Sequence, residues 1–295
     1  MPDNPMPGKL LLIGATGMLG RALGAEAGRR GYGVTSLARS AAGITLDITD
    51  AAALESAIAR EKPDLIINSA ALVDLALCEA DPEGANAVNA QAVGVMARQA
   101  AAIGAGFVQI SSDHYFTGDG DALHDEEAKV TLVNAYARSK FAGEGAALGN
   151  PDALVLRTNV TGFRGRPGQP TFIEWAIAAL GAKESITAFS DYYTSTIDAA
   201  TFAGIMFDLV GAGASGLLNV ASRQTRSKEA FLRALARRMG IAEPQISPGS
   251  VQGLQPPRAE SLGLDVSQAE TIVAYEFPTL DEVVDSLVSE HERRQ

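Results

Sequence analysis

"KLLLIGATGMLG", Lys9 to Gly20, sets a continuously apolar run against a glycine turn and the opening of a helical pattern. Leu10 to Ile13 has the length and composition of a strand buried on both faces, as in a parallel sheet covered by helices. Gly14, Gly17 and Gly20 follow at once. Glycines there permit a tight turn and let a pyrophosphate approach a helix N-terminus, whose free N–H groups and dipole favour negative charge. The spacing is GxxGxxG, not the GxGxxG of many dinucleotide sites. Thr16, Met18 and Leu19 lie in the same stretch and join Gly14 and Gly17 as candidate cofactor contacts.

Outward from this stretch the same unit repeats. A helix is expected near Met18 to Arg30, then a strand "GVTSL", a helix near Ala51 to Glu61 and a strand "DLIINS". A long helical stretch from about Pro82 to Ile103 leads to a strand "GFVQISS", the helical segment "NAYARSKFAGE" and a strand "ALVLRT" ending at Thr158. That alternation predicts βαβ units and an α/β fold with a doubly wound parallel sheet of Rossmann type. Beyond Thr158, Gly162, Gly165, Pro167, Gly168 and Pro170 crowd together and mark a lobe boundary. A helix near Thr196 to Val210, a strand "GLLNVAS", a helix near Lys228 to Met239, a Pro/Gly-rich stretch from Pro244 to Pro257 and a terminal helix near Thr279 to Arg294 complete the chain. The expected division is a nucleotide-binding lobe over 1–158 and a smaller, interleaved substrate-binding lobe over 159–295. Residues from about 196 to 225 return to the first.

The totals narrow the function. With 24 Lys plus Arg against 35 Asp plus Glu, the net charge of −11 opposes nucleic-acid and anionic-membrane binding, while a small anion can still be held by local groups. The single cysteine, Cys78, makes no internal disulfide and reads as a small buried hydrophobe in a reducing compartment. No stretch approaches the roughly 18 apolar residues of a membrane span. The start shows no basic n-region, so a cytoplasmic protein is expected. His114, His124 and His291 give no metal-ligand spacing, no metal is expected, and "HDEEA" from His124 reads as a solvated loop.

A site for NAD usually carries an acidic residue after the second strand, to bond the ribose 2′-hydroxyl. Here that strand ends "SLARS", and Arg39 followed by Ser40 suits a 2′-phosphate, because a guanidinium makes bidentate contacts with phosphate oxygens. NADP(H) is therefore expected in preference to NAD(H). In "NAYARSKFAGE", Tyr136 and Lys140 fall one turn apart on a helix. An ammonium near a phenol favours the phenolate and brings its pKa down from about 10, which makes the tyrosine a usable acid near neutrality. None of the other five tyrosines has a lysine at that spacing. Ser111 and Ser112 end the preceding apolar run, so a hydroxyl emerges at the carboxyl end of a parallel strand, where such sheets bind ligands.

With these in order, the chain resembles an extended short-chain dehydrogenase/reductase, most of all the dTDP-4-dehydrorhamnose reductase family. "GATGMLG", "LDITD", "PDLIINSAA", "CEADPEGANAVN", "SSDHYF", "YARSK", "LRTN" and "RAESLGLDVSQAE" all occur in family order, through nearly the whole chain. The resemblance implies Ser112 as the hydroxyl bonding the substrate carbonyl, Tyr136 as proton donor, and Lys140 as holder of the nicotinamide ribose and tuner of the tyrosine. It further implies Asp47 and Ile48 beside the adenine, Ser69, Ala70 and Ala71 along the middle of the cofactor, and Asn89 in a polar relay behind the lysine. From the residues alone, Asp47 also reads as a cap for the helix near Asp50, and Asn89 as a polar residue on a buried helix.

Departures from the family pattern narrow the reading further. Sugar-nucleotide dehydratases of this superfamily carry an Asp-Glu pair after the catalytic hydroxyl residue, whereas Ser112 is followed by Asp113 and His114, which disfavours dehydration. His114 is expected to pack or hydrogen-bond rather than to transfer protons. The reductases commonly have a tryptophan soon after the strand ending "LRTN"; here Val160 stands near that place and the single tryptophan is Trp175. Asp113, Asn159, Phe163, Tyr192, Thr194 and Arg258 are the candidates to contact a nucleotide sugar, with Arg258 as partner of a diphosphate. The expected function is NADPH-dependent reduction of a keto group on a nucleotide-activated deoxysugar. The same resemblance leaves open a nucleotide-sugar epimerase and a non-catalytic NADP-binding regulatory subunit, and it allows a homodimer.

Overall fold

The computed structural model describes residues 8–40, 42–166 and 168–295, so the reading of the start over 1–7 and of Pro167 falls outside the described residues. In chain order the elements are β1 (Lys9–Ile13), α1 (Met18–Arg29), β2 (Gly33–Ala38), β3 (Ile44–Thr45), α2 (Ala51–Glu61) and β4 (Leu65–Asn68). Next come α3 (Leu75–Ala80), α4 (Pro82–Asn86), a π-helical turn (Ala87–Gln91), α5 (Ala92–Ile103), β5 (Gly106–Ile110), β6 (Leu123–His124), α6 (Ala135–Leu148) and β7 (Ala153–Arg157). They are followed by β8 (Val160–Thr161), α7 (Phe172–Gly181), β9 (Ile186–Phe189), β10 (Tyr193–Thr194), β11 (Ile197–Asp198), α8 (Ala199–Gly211) and β12 (Gly216–Asn219). The last elements are β13 (Arg226–Ser227), α9 (Lys228–Arg238), β14 (Ile246–Gly249), β15 (Ser261–Leu264), α10 (Ser267–Val273) and α11 (Leu280–Arg294).

Two compact units share this chain. The first comprises Met1–Ser111, Ala135–Leu156 and Ala203–Leu217, and the second Ser112–Asn134, Arg157–Phe202 and Leu218–Gln295. The division is less linear than a boundary at 158: Ser112–Asn134 groups with the C-terminal residues, and of the stretch 196–225 only Ala203–Leu217 groups with the first unit.

The first unit is built on a seven-stranded sheet of order β12-β7-β5-β4-β1-β2-β3. From β7 to β3 every neighbouring pair is parallel. Leu10 to Ile13 are fully buried, as the unbroken apolar run requires of a strand covered on both faces. The chain runs outward from β1 through β2 to β3, then returns to β4 on the other side of β1. The carboxyl ends of β1 and β4 thus form the topological switch point, where open α/β sheets bind ligands.

The long helical stretch of 82–103 is interrupted by the π turn, which appears where a helix takes in one extra residue, frequently at functional positions. α6 crosses this turn so closely that a Cβ on Gly143 would run into the backbone carbonyl of Asn89.

The second unit contains a four-stranded sheet of order β13-β10-β15-β6 and two parallel pairs, β8 with β11 and β9 with β14. β14 lies inside the Pro/Gly-rich stretch from Pro244 to Pro257. Pro248 is tolerated because the pair has no central strand, so its missing N–H costs no ladder bond on a second side. The helix expected from Thr196 begins at Ala199, after the short strand β11.

Replacing Gly143 by alanine is expected to destabilise the chain by about 1–3 kcal/mol, because the helix can separate from the Asn89 carbonyl only by shifting. A lower urea midpoint at unchanged slope would show it.

Candidate active site

In the first unit the glycine turn closes the switch point. Gly14 has φ of +82°, a left-handed conformation that favours glycine, and its N–H donates to the Leu37 carbonyl at 2.9 Å. A Cβ at Gly14 would stand 2.6 Å from the Ala70 nitrogen and 2.8 Å from the Ser69 carbonyl carbon, so only glycine lets the turn after β1 touch the turn after β4. Gly17 is the N-cap of α1, with no side-chain cap and no acid in the first turn. The first N–H groups of α1 are therefore left for an anion, as a pyrophosphate requires. Thr16, Met18 and Leu19 are half-buried around this turn.

The facing segment is equally fixed. Ser69 donates through Oγ to the Ile13 carbonyl at 2.8 Å, and the Ala70 N–H donates to Asn68 Oδ1 at 3.1 Å. Asn68 in turn donates to Gln109 Oε1 at 2.8 Å. Ala71 continues the same half-buried segment. These residues fit a dinucleotide lying across the ends of β1 and β4.

Arg39 is exposed directly after β2 and makes no hydrogen bond or ion pair among the described residues. Asp47 does not cap α2, since Asp50 does so by accepting from the Ala53 N–H at 3.0 Å. Asp47 instead accepts from the Thr49 N–H and hydroxyl, which hold its carboxyl below the usual range with a smaller contribution from Arg39. Ile48, expected beside an adenine, is buried in the sheet core with Leu54 and Ile58.

On α6, Tyr136 and Lys140 are both buried. Lys140 Nζ donates to the carbonyl of Ile110, the last residue of β5, at 2.7 Å. Burial pushes the lysine down to about 8, opposed by the nearby Glu144 carboxylate, which itself accepts from Ser111 Oγ at 2.6 Å. Tyr136 packs with Cys78, Ala85 and Ala135, so the cysteine is a small core residue beside the tyrosine. The first turn of α6 is held by Glu79, which accepts from the Ala135 N–H at 2.5 Å.

Asn89 differs from expectation. It bonds the Leu72 backbone in both directions at 2.9 Å and donates to Ser139 Oγ at 2.9 Å, and among the described residues it makes no hydrogen bond to Lys140. It ties the π turn to α6 and to the segment after β4, and so supports the pair through the helix rather than through a relay.

In the second unit, Ser112, Asp113 and His114 enter from the end of β5. Ser112 Oγ accepts from the His114 N–H at 3.2 Å. Asp113 is buried and accepts from Asn159 Nδ2 at 2.6 Å. Desolvation pushes it up to about 7, against the Asn159 hydrogen bond and the Lys228 charge. Burial, with the charges of Lys228 and Arg258, pushes His114 down to about 4, so its ring is neutral at pH 7 and shares a 3.2 Å hydrogen bond with the Tyr192 hydroxyl. That is a packing and hydrogen-bonding role.

A cavity of about 380 Å³ opens beside these residues. Asn159, Tyr192 and Arg258 line it together with Phe172, Trp175 and Lys228. Val160 and Trp175 share this cavity, so the indole absent after "LRTN" enters it from α7.

A family model described as the RmlD substrate binding domain matches residues 8–293. The chain belongs to that family. It is 32% identical to the dTDP-4-dehydrorhamnose reductase of Mycolicibacterium smegmatis over 82% of this chain and 73% of that protein. It is likewise 32% identical to a protein of Haloferax volcanii named a probable low-salt glycan biosynthesis reductase, over 80% of this chain and 81% of that one. The crystal structure of the Bacillus anthracis dTDP-4-dehydrorhamnose reductase in complex with NADP has the same fold, with TM-score 0.86 and 22% identity over 97% of this chain and 100% of that chain.

Two expected contacts of this RmlD-family chain lie elsewhere. Phe163 stacks on His291 at 6.1 Å and lines a separate cavity near the end of α11. Thr194 is buried and bonds Thr196 at 2.9 Å, and Thr196 donates to Asn159 Oδ1 at 3.0 Å, so Thr194 stands behind a lining residue. "HDEEA" is not a solvated loop: His124 is buried against Phe116 at 4.1 Å, and Glu126 accepts from the Asn219 N–H at 2.8 Å. Among the described residues no group of three His, Cys, Asp or Glu is placed to hold a metal ion, and no helix is long and apolar enough to cross a membrane. Phe172, Phe189 and Lys228 were not among the expected contacts. They come from three elements, and the one available signal was a lysine directly after the capping Ser227 at the start of a helix.

Asp113 gives a pH-dependent prediction. Its carboxyl is raised in the folded chain to about 7 from 3.8, so the folded state holds a proton that the unfolded state has released between those values. Its contribution to stability is therefore complete below the unfolded value and is lost as pH rises towards 7. Asp113→Asn should lose less stability than the parent between pH 4.5 and 7.5, measured by urea unfolding at each pH.

Proposed function

We propose that this RmlD-family chain is an NADPH-dependent reductase of a keto group on a nucleotide-activated deoxysugar, acting in the cytoplasm. The observation that carries the reading is Lys140, buried one turn from Tyr136 with its ammonium anchored on the last carbonyl of β5. A lysine displaced towards neutrality and fixed beside a buried phenol is a costly arrangement that packing alone does not need. The names of the related reductases support the substrate class. The uncapped glycine turn and the exposed Arg39 after β2 support the phosphorylated cofactor, which the Bacillus anthracis protein binds.

When bound, the nicotinamide supplies the hydride that the carbonyl carbon takes up. Tyr136 gives its phenolic proton to the carbonyl oxygen, so the product is an alcohol and the tyrosine is left as phenolate until solvent returns the proton. Lys140 keeps the phenolate form accessible by its charge. Ser112 donates a hydrogen bond to the same oxygen and stabilises the charge that develops on it. Dehydration would need a second acid–base group directly after Asp113, and that place is taken by His114, whose ring is bonded to Tyr192.

NADPH oxidation by a panel of nucleotide-linked 4-keto sugars tests the reading. Tyr136→Phe should lower turnover by about 10²–10⁴, the usual worth of a positioned proton donor. Full activity in that variant would remove the mechanism. Turnover without net NADPH consumption would identify an epimerase, and cofactor binding with every sugar inert would point to a non-catalytic subunit. Arg39→Ala should weaken NADPH relative to NADH, and an unchanged ratio of the two Kd values would dismiss Arg39 as the reader of the 2′-phosphate.

A further inference from the structure

Lys228 is placed where folding gives it little reason to be. It is the first residue of α9, where the helix dipole disfavours a cation. Its ammonium lies 4.9 Å from the centre of the Phe172 ring, 5.9 Å from that of Tyr192 and 6.0 Å from that of Phe231. Its backbone N–H donates to the Tyr192 carbonyl at 3.0 Å, which fixes the side chain at the cavity wall. The ammonium makes no hydrogen bond or ion pair among the described residues, and neither does the guanidinium of Arg258 on the same cavity.

The contrast with the paired arginines is informative. In a chain of net charge −11, carboxylates are abundant, and Arg30, Arg223, Arg226, Arg233 and Arg238 all lie against one. The carboxylates on the helices around Lys228 are engaged elsewhere: Glu174 accepts backbone N–H groups of Arg164, Gly165 and Thr171, and Glu229 pairs with Arg233. Asp113 accepts from Asn159, and His114 is bonded to Tyr192. Two cations and several aromatic faces, with no carboxylate lining the cavity, form a site for a nucleotide, whose flat base can stack and whose phosphates place two negative charges close together.

We propose that Lys228 is a substrate-contacting, specificity-determining residue of this chain, whose ammonium acts with Arg258 to hold the diphosphate of the nucleotide sugar. This rests on the proposed function and deepens it. The aromatic wall from Phe172, Trp175 and Phe189 gives the base a stacking surface, and Lys228 gives the cavity a charge that is itself set by its surroundings. Burial brings Lys228 down to about 8, with Asp113 opposing, so the anion-binding charge is present below that pH and fades above it.

Isothermal titration of the NADP-loaded full chain with dTDP and UDP tests the assignment. Lys228→Met should weaken the tighter of the two nucleotides at least tenfold at pH 7, while NADPH binding stays as in the parent and reports an intact fold. Lys228→Arg should restore most of the affinity. Between pH 7 and 9.5 the parent should lose affinity progressively and Lys228→Arg should not. Affinity within twofold of the parent in Lys228→Met, equal weakness in the Met and Arg variants, or no binding of either nucleotide at millimolar concentration would overturn the proposal. Lys228-dependent binding without turnover of any keto sugar would sink only the proposed reaction, and turnover with Lys228-independent binding would sink only this assignment.

Discussion

The contact between the turn after β1 and the turn after β4 is the constraint on which the first unit depends. A single methyl group at Gly14 would collide with the backbone of Ser69 and Ala70, and the two strand ends would have to part. Gly20 repeats the requirement one helical turn on, since a Cβ there would run into the Gly14 carbonyl. The cost of these glycines in backbone entropy is local. Their return is a switch point in which the open N-terminus of α1 and the backbone of Ser69 to Ala71 face the same space.

Buried charge is the second theme, and it is handled in two ways. Lys140 loses its hydration but gains the Ile110 carbonyl and the Glu144 field, so it remains a cation close to its tipping point. Asp113 loses its hydration, its hydrogen bonds from Asn159 and Ser112 offset only part of that loss, and its proton becomes correspondingly harder to remove. In both cases desolvation is the largest influence, and a hydrogen bond or a neighbouring charge determines how much of it is offset. The two groups reach neutrality from opposite sides.

How much of this was legible depended on whether the signal was local. The apolar run with its glycine turn, the Tyr136–Lys140 spacing and the alternation of strands with helices are short-range patterns, and the sheet follows from them. Asn89 was visible as a polar residue in a helical stretch, but its partners Leu72 and Ser139 lie 17 and 50 residues away, and nothing in the sequence marks the π turn that aims it. Phe163 was misplaced because it follows β8, close in sequence to Asn159, yet its ring turns to His291 on α11. The cavity itself is assembled from Asn159, α7, β9, Tyr192, α9 and Arg258, whose order along the chain carries no periodicity that pattern reading can use.

Each of the two units carries a cation that forms no ion pair with a neighbouring carboxylate among the described residues. An acidic chain repels anionic ligands at long range, so any anion it binds must be drawn by cations that the chain has not neutralised itself. Many of its described arginines lie against carboxylates, among them Arg30, Arg223, Arg226, Arg233 and Arg238. Among the described cations without an ion pair are Arg39 after β2, and Lys228 with Arg258 at the cavity of the second unit. Lys228 carries a cost in the free chain, because its charge is buried and stands at the N-terminus of α9. A cofactor phosphate at the first place and a substrate phosphate at the second would supply the partners these cations lack among the described residues, as the proposed function requires.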